Sequence, residues 1–409
     1  MTEETPIAKE KVYLAVLVAA LGYFVDVYDI VLFSIVRVAS LKSLGFEGEE
    51  LLSKGVLLIN MQMIGMLVGG ILWGIWGDKR GRIQVLFGSI LMYSLANLAN
   101  AFVTNLEWYA VLRFIAGVGL AGEIGAGITL VSELMDKEKR GVGTTIVATV
   151  GVSGAVVAGL VGEVFDWRTA YIIGGSMGLA LLLLRVSVCE SGIFDKVKKS
   201  EIVKGDLRLL FRSRERMGRY ISCILVGVPI WFVVGIIVTF CPEIGRALSM
   251  KELPSVSLAV FYCYVGLTVG DLASGLFSQI VKSRRKALFV FLSGVFLISM
   301  AILNLPGKDV KFYYGALIAL GFFSGYWAVF VTTAAEQFGT NLRATVATSV
   351  PNFVRGSTVI MTLLFDGLKG YLGVVGSAQV VCLLACGCAF FALWRARETY
   401  GIDLNFVES

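Results

Sequence analysis

The chain has 409 residues, 57% of them hydrophobic and 16% charged, with a mean hydropathy of +0.80 and a net charge of +6. A water-soluble protein of this size cannot bury so much apolar surface, so the composition excludes that class and points to a polytopic membrane protein. Histidine is absent and the seven cysteines lie mostly in apolar runs, which argues against a cofactor or metal site and leaves carboxylates to carry any proton chemistry.

The N-terminal MTEETPIAKEK is polar and acidic, without the basic start and cleavage site of a secretory signal, so the first apolar run is expected to remain in place. Runs of membrane-crossing length follow near 12–36, 55–76, 84–104, 108–131, 142–165 and 168–187, then near 219–240, 256–280, 287–305, 312–335, 344–365 and 372–394. The reading is an all-α integral membrane protein of twelve spans in two six-helix bundles. The bundles cover 1–187 and 219–409, joined by a basic linker over 188–218. With both termini cytoplasmic, 24 of the 36 Lys and Arg fall in cytoplasmic segments, as the positive-inside rule requires. These charges set topology in a lipid bilayer and do not imply nucleic acid. The halves also echo each other: Glu133 and Arg140 bracket the loop after span 4, and Glu336 and Arg343 bracket the loop after span 10, 203 residues later. Duplicated bundles build transporters whose substrate site lies between the halves.

Taken in chain order, span 1 carries "GYFVDVYDIVLF", with Asp26 and Asp29 inside an apolar run. Span 2 holds Gln62 and ends in Gly74-Ile-Trp-Gly77-Asp78-Lys79-Arg80-Gly81-Arg82. Span 4 reads "RFIAGVGLAGEIG", from Arg113 through Glu123 to Gly125; "DWRTAY" opens span 6 and "ESGIF" follows it. Trp231 lies in span 7, Asp271 in span 8, Tyr326 and Trp327 in span 10, and Asn352 with Arg355 in span 11, just after Pro351. In this order the motifs resemble those of the major facilitator superfamily. The loop after span 2 is similar to its G-x-x-x-D-[RK]-x-G-R signature, and span 4 to the R-x-x-x-G-x-G-x-x-G-E-x-G of its sugar-porter and metabolite:proton symporter branches. Two departures stand out: Gln279 replaces the acid in the second-half loop, and span 5 lacks the proline of the exchanger motif.

The resemblance implies the major facilitator fold, with spans 1, 4, 7 and 10 lining a central cavity. It also implies a cytoplasmic gate in which Asp78 meets the start of span 11, braced by Arg82, Glu133 and Arg140. Glycines 74, 77 and 81 permit the tight turn.

Ionisable side chains at membrane depth are costly and usually functional. Asp29 and Arg113 lie at matching depth, roughly 10 and 8 Å from the outer face at 1.5 Å per residue. In the symporters such an acid couples to the span 4 arginine; it stays ionised beside the cation and takes a proton when the cation swings away. Asp26, about 60° round the helix, is close enough to titrate with Asp29, and Glu123 is a partner across the bundle. Arg355 either grips a carboxylate of the cargo or neutralises Asp271. Asn352, Gln62, Trp231, Tyr326 and Trp327 are expected to line the cavity. A polar network that only locks helices together is the structural alternative for the acids, and aromatic packing for the rings. The expected function is proton-coupled symport of a small polar metabolite by a monomer, in the inner membrane if the source is bacterial. An organic acid, amino acid or zwitterion fits the two arginines better than a neutral sugar. A uniporter or exchanger on the same fold is the alternative; a membrane enzyme or sensor lacks the reactive cluster or added domain it would need.

Overall fold

The computed structural model describes residues 9–80, 82–122, 140–190, 212–304, 307 and 309–401. All the regular secondary structure among these residues is helical, with no strand. In chain order the helices are α1 (Lys9–Ser43), α2 (Glu50–Arg80), α3 (Arg82–Asn100), α4 (Leu106–Leu120), α5 (Arg140–Val164) and α6 (Trp167–Glu190). The second set comprises α7 (Arg214–Phe232), α8 (Cys241–Ala247), α9 (Val256–Ile280), α10 (Arg284–Leu303), α11 (Val310–Ser324), α12 (Trp327–Glu336) and α13 (Thr340–Arg395). Nine helical segments among the described residues are long and apolar enough to cross a membrane. The last holds two crossings, and α3 and α4 supply the third and fourth. Twelve spans result.

Spans 11 and 12 are joined inside α13 at Gly373, whose φ of 68° and ψ of 177° break the helix. Only glycine adopts that backbone without strain, so the chain reverses direction without a loop. Span 7 widens into a π-helical turn over Val233–Val238 before ending in α8. Span 10, a continuous apolar run in sequence, is two helices, α11 and α12, because Gly325 and Tyr326 leave the helical conformation.

The duplication is visible in packing. In the first half, Gly65 and Gly69 of α2 lie against the carbonyls of Phe114 and Val118 of α4, and Gly117 returns the contact on Gln62. In the second half, Gly266 and Gly270 of α9 lie against the carbonyls of Ile318 and Phe322 of α11, and Gly321 returns it on Cys263. A Cβ at any of these six positions would overlap backbone. Small residues at each crossing let the helices approach closely enough for dispersion to hold them where lipid offers no hydrophobic drive. The two halves then meet through α5 on α9 and α2 on α13. Five of the cysteines, at 223, 241, 263, 382 and 386, are buried as free thiols, which fits small core residues.

Candidate functional site

Helix α1 runs through the centre of the first half, and its two acids point different ways. Asp26 and Asp29 are both at most 1% exposed. The carboxylate of Asp29 turns into its own half: a Cβ on Gly174 of α6 would lie 2.6 Å from its Oδ1, and the Asn97 amide of α3 and the Arg113 charge face it. Asp26 turns to the seam, where its Oδ2 lies 3.8 Å from Nη2 of Arg355 on α13. A step of three residues rotates a helix by about 300°, which accounts for the divergence.

Arg113 is fully buried on α4 and donates through Nη2 to Oε1 of Gln62 on α2. Its guanidinium carbon stands 5.0 Å from the Phe33 ring centre and 5.9 Å from that of Tyr171. Tyr171 and Tyr109 share a 2.8 Å hydrogen bond, and the Tyr109 hydroxyl donates to Ser40 at 3.2 Å. Among the described residues the cation is therefore held by one neutral acceptor and two ring faces, with the Asp29 charge near it but outside ion-pair distance. Gln62, expected in a cavity wall, serves as the partner of Arg113.

Arg355 is 2% exposed. The rings of Trp231 on α7 and Trp327 on α12 lie 5.8 and 6.0 Å from its guanidinium carbon. Its Nε and Nη1 have no hydrogen-bond partner among the described residues. Asn352, one turn earlier, lies against Gly70 of α2. The seam at this depth thus gathers Asp26, Arg355 and two indoles, with Tyr23 of α1 within electrostatic reach of Asp26, Arg355 and Asp271.

Asp271 does not pair with Arg355. Its Oδ1 accepts the backbone N–H of Ala328 at 2.9 Å, and the N–H of Trp327 lies beside the same carboxylate. These are the first amides of α12, which the break in span 10 leaves without partners in the helix. A carboxylate at a helix N-terminus also meets the positive end of its dipole. Tyr326 packs away from the seam, with its hydroxyl donating to the Val226 carbonyl at 3.0 Å.

A second cluster closes the end of the molecule carrying the 44–49 and 248–255 connections, the end expected outside from the distribution of Lys and Arg. Arg37 of α1, fully buried, donates from Nη2 to both carboxylate oxygens of Glu243 on α8 at 2.7 and 2.9 Å. It also donates to the carbonyls of Leu51 and Thr239 at 3.0 and 3.1 Å, and its guanidinium lies 4.5 Å from the Phe240 ring. Around it Thr239 donates to Ser34, Thr362 to Asn60, Lys369 to Ser53 and Ser255 to Glu163, each joining one half to the other. Sequence reasoning missed Arg37, Glu243 and Asn97. A charge at the end of a span reads as a loop residue, and a lone amide leaves no pattern; the only signal was an arginine within the last apolar turns of span 1.

At the opposite end, Glu336 accepts from Arg284 at 3.4 Å and from Thr399 at 2.7 Å. The neighbouring Glu398 accepts from the Ser283 hydroxyl and from the backbone N–H groups of Arg284, Arg285 and Tyr400. Burial alone would raise the Glu398 pKa, but these donors hold it below the usual glutamate range. Arg185, near the end of α6, is buried at 4% exposure. Of the remaining expected site residues, the gate's Gly81 and Glu133 and the proton-coupling Glu123 lie outside the described residues. Gly74, Asp78, Arg82, Arg140 and Arg343 belong to described helices, but their side chains lie outside the description.

Comparison with known proteins places this geometry. The Bacillus subtilis protein named as a niacin/nicotinamide transporter, NiaP, is 28% identical over 98% of this chain and 99% of its own length. The 3-(3-hydroxy-phenyl)propionate transporter of Escherichia coli is 26% identical over 82% of this chain and 83% of its own. The inward-open structure of the xylose transporter XylE from E. coli superposes with a TM-score of 0.72 over 96% of this chain and 98% of that one, at 16% identity, a likeness of fold. The Major Facilitator Superfamily sequence profile matches residues 14–362. The chain belongs to the major facilitator superfamily and is a multi-pass membrane transporter.

Proposed function

We propose that the protein is a proton-coupled symporter of a small planar monocarboxylate, nicotinate or a related aromatic acid. The observation that carries this reading is Arg355, a buried cation at the seam with two donors that have no partner among the described residues and an indole on each of two flanking helices. A guanidinium recognises a carboxylate by paired parallel hydrogen bonds, and the faces of Trp231 and Trp327 suit the ring behind it. The names of the two relatives support the class, since niacin and 3-(3-hydroxyphenyl)propionate are both aromatic carboxylic acids. Alternating access moves residues 1–187 against 219–409 about this site, with 188–218 as the connecting segment. Arg37 and Glu243 seal the outer face, and the Asp78 loop gates the inner one.

Asp29 is the proposed proton carrier. It is buried near Arg113 without being locked to it, so a shift of α4 changes the field at the carboxylate. The fact that Gln62 already engages Arg113 favours one second reading, a facilitator in which Asp29 is structural. Proteoliposomes with an inward proton gradient separate the two. Symport predicts uphill nicotinate uptake that Asp29→Asn abolishes while exchange of labelled for unlabelled nicotinate continues. A facilitator shows no uphill uptake in the first place. Loss of both activities in Arg355→Gln tests the anchor.

A further inference from the structure

The transport scheme above leaves Asp26 without a role, yet among the described residues Asp26 makes the closest charged contact to the proposed anchor. Among the described residues, Asp26–Arg355 is the ion pair that joins the two halves at mid-depth; Arg37–Glu243, the other pair across the seam, lies at the outer end. Its geometry is that of a loose pair. At 3.8 Å the carboxylate is farther from Nη2 than the roughly 2.7–2.9 Å of a charge-assisted hydrogen bond. Among the described residues, Nε and Nη1 of Arg355 have no partner, so Asp26 neutralises the cation without using its fork.

Resting on the reading of Arg355 as the carboxylate anchor, we propose that Asp26 is a built-in stand-in for the carboxylate of the cargo, occupying Arg355 in the empty carrier and displaced when cargo binds. Three physical consequences follow. A buried guanidinium stripped of its counter-charge is strongly destabilising, so the stand-in lets the empty carrier close around Arg355. A cargo carboxylate that docks on the fork gains the paired hydrogen bonds Asp26 does not make, and so wins the exchange. An uncharged analogue of the same shape brings no charge to exchange for that of Asp26, so it leaves the stand-in in place and gains nothing from its removal. The two acids of α1 then have separate duties: Asp29 faces Asn97, Gly174 and Arg113 within its own half, whereas Asp26 faces Arg355 across the seam.

Nicotinate and nicotinamide are matched probes, differing only in the carboxylate. Their affinities for the purified full-length protein and for Asp26→Asn and Asp26→Glu are read by calorimetry, together with the thermal midpoint of each protein without ligand. If the stand-in holds Arg355 about nine-tenths of the time, removing it raises nicotinate affinity roughly tenfold, because apparent affinity scales with the competent fraction. Nicotinamide changes by less than about twofold on the same logic. Asp26→Glu retains wild-type discrimination, and ligand-free Asp26→Asn melts lower but is rescued by nicotinate. Unchanged or weaker nicotinate binding in Asp26→Asn, or an equal gain for nicotinamide, overturns the proposal.

Should Asp26→Asn fail to fold, the double variant Asp26→Asn/Arg355→Gln removes both charges. Recovery of its thermal midpoint with loss of acid-over-amide preference supports the exchange, and failure to recover overturns it. A different pattern marks failure of the anchor itself: Arg355→Gln then binds nicotinate as well as wild type does, whatever Asp26 does.

Discussion

The two halves share a frame and differ in where they put their charge. α4 and α11 are both 15 residues long and begin 204 residues apart. Each is capped by a side chain that accepts a backbone N–H, Asn105 from Trp108 and Asp309 from Lys311. Each also buries a tyrosine in its first turn, Tyr109 and Tyr313. On that frame Arg113 stands opposite Leu317, and Gly70 of α2 stands opposite Asp271 of α9, 201 residues on. The first half keeps its cation inside, against Gln62, Phe33 and Tyr171; the second presents Arg355 at the seam. The crossings that hold each bundle together were kept in duplicate, while the polar groups diverged, the arrangement that the proposed division between proton handling and cargo binding would use.

The largest effects should come from breaking what the halves share. Gly69→Leu and Gly270→Leu each push a side chain into a backbone carbonyl, of Val118 and Phe322 respectively. Both should abolish the monodisperse peak in size-exclusion chromatography, and a large difference between them would show that the two crossings are not equivalent. Next is the contact between the halves. Arg37→Ala leaves the partly buried Glu243 without its counter-charge, a loss of up to about 3 kcal/mol, the lower end for a fully buried pair. Distances measured between spin labels on the outer ends of α1 and α8 should lengthen as outward-open carriers accumulate; an unchanged distribution would remove Arg37 from the seal.

A smaller effect tests what differs. Asp271→Ala orphans the first amides of α12, worth about 1–3 kcal/mol, and should lower the thermal midpoint. Gly70→Ala at the equivalent place adds a methyl 3.5 Å from the Asn352 amide, an ordinary contact, and should leave the midpoint within about 0.5 kcal/mol of wild type. Smallest is the Glu398 cap. An acid whose folded pKa lies below its ordinary value stabilises above that value and loses the contribution as pH falls through the folded pKa. Glu398→Gln should therefore melt lower than wild type at neutral pH, by under about 1 kcal/mol. The gap should close as the buffer is taken down through and below the ordinary glutamate value of 4.5.

The twelve spans and the acids of span 1 were legible because apolar length and intramembrane charge leave direct traces in sequence. The break in span 10 was not. Gly325 and Tyr326 sit in a run that is apolar throughout, and what stabilises the interruption is a carboxylate 54 residues earlier. Partners were harder than positions for the same reason. Arg355 and Asp271 share one half, which made them a natural pair, but the choice was decided by which way α1 turns Asp26. Arg113 and Gln62 were each marked, yet their bond depends on the glycine crossing that brings α2 and α4 together.

That dependence of a helix break on a distant acid constrains how the protein can change over time. Asp271 cannot be lost alone without exposing the amides of Trp327 and Ala328, and the interruption at Gly325 has little to support it once the acid is gone. The two positions should therefore drift as a linked pair. A descendant lacking the acid should restore an unbroken span 10, and in doing so would carry Trp327 round the helix and away from Arg355, retuning cargo choice through a residue that need never touch the cargo.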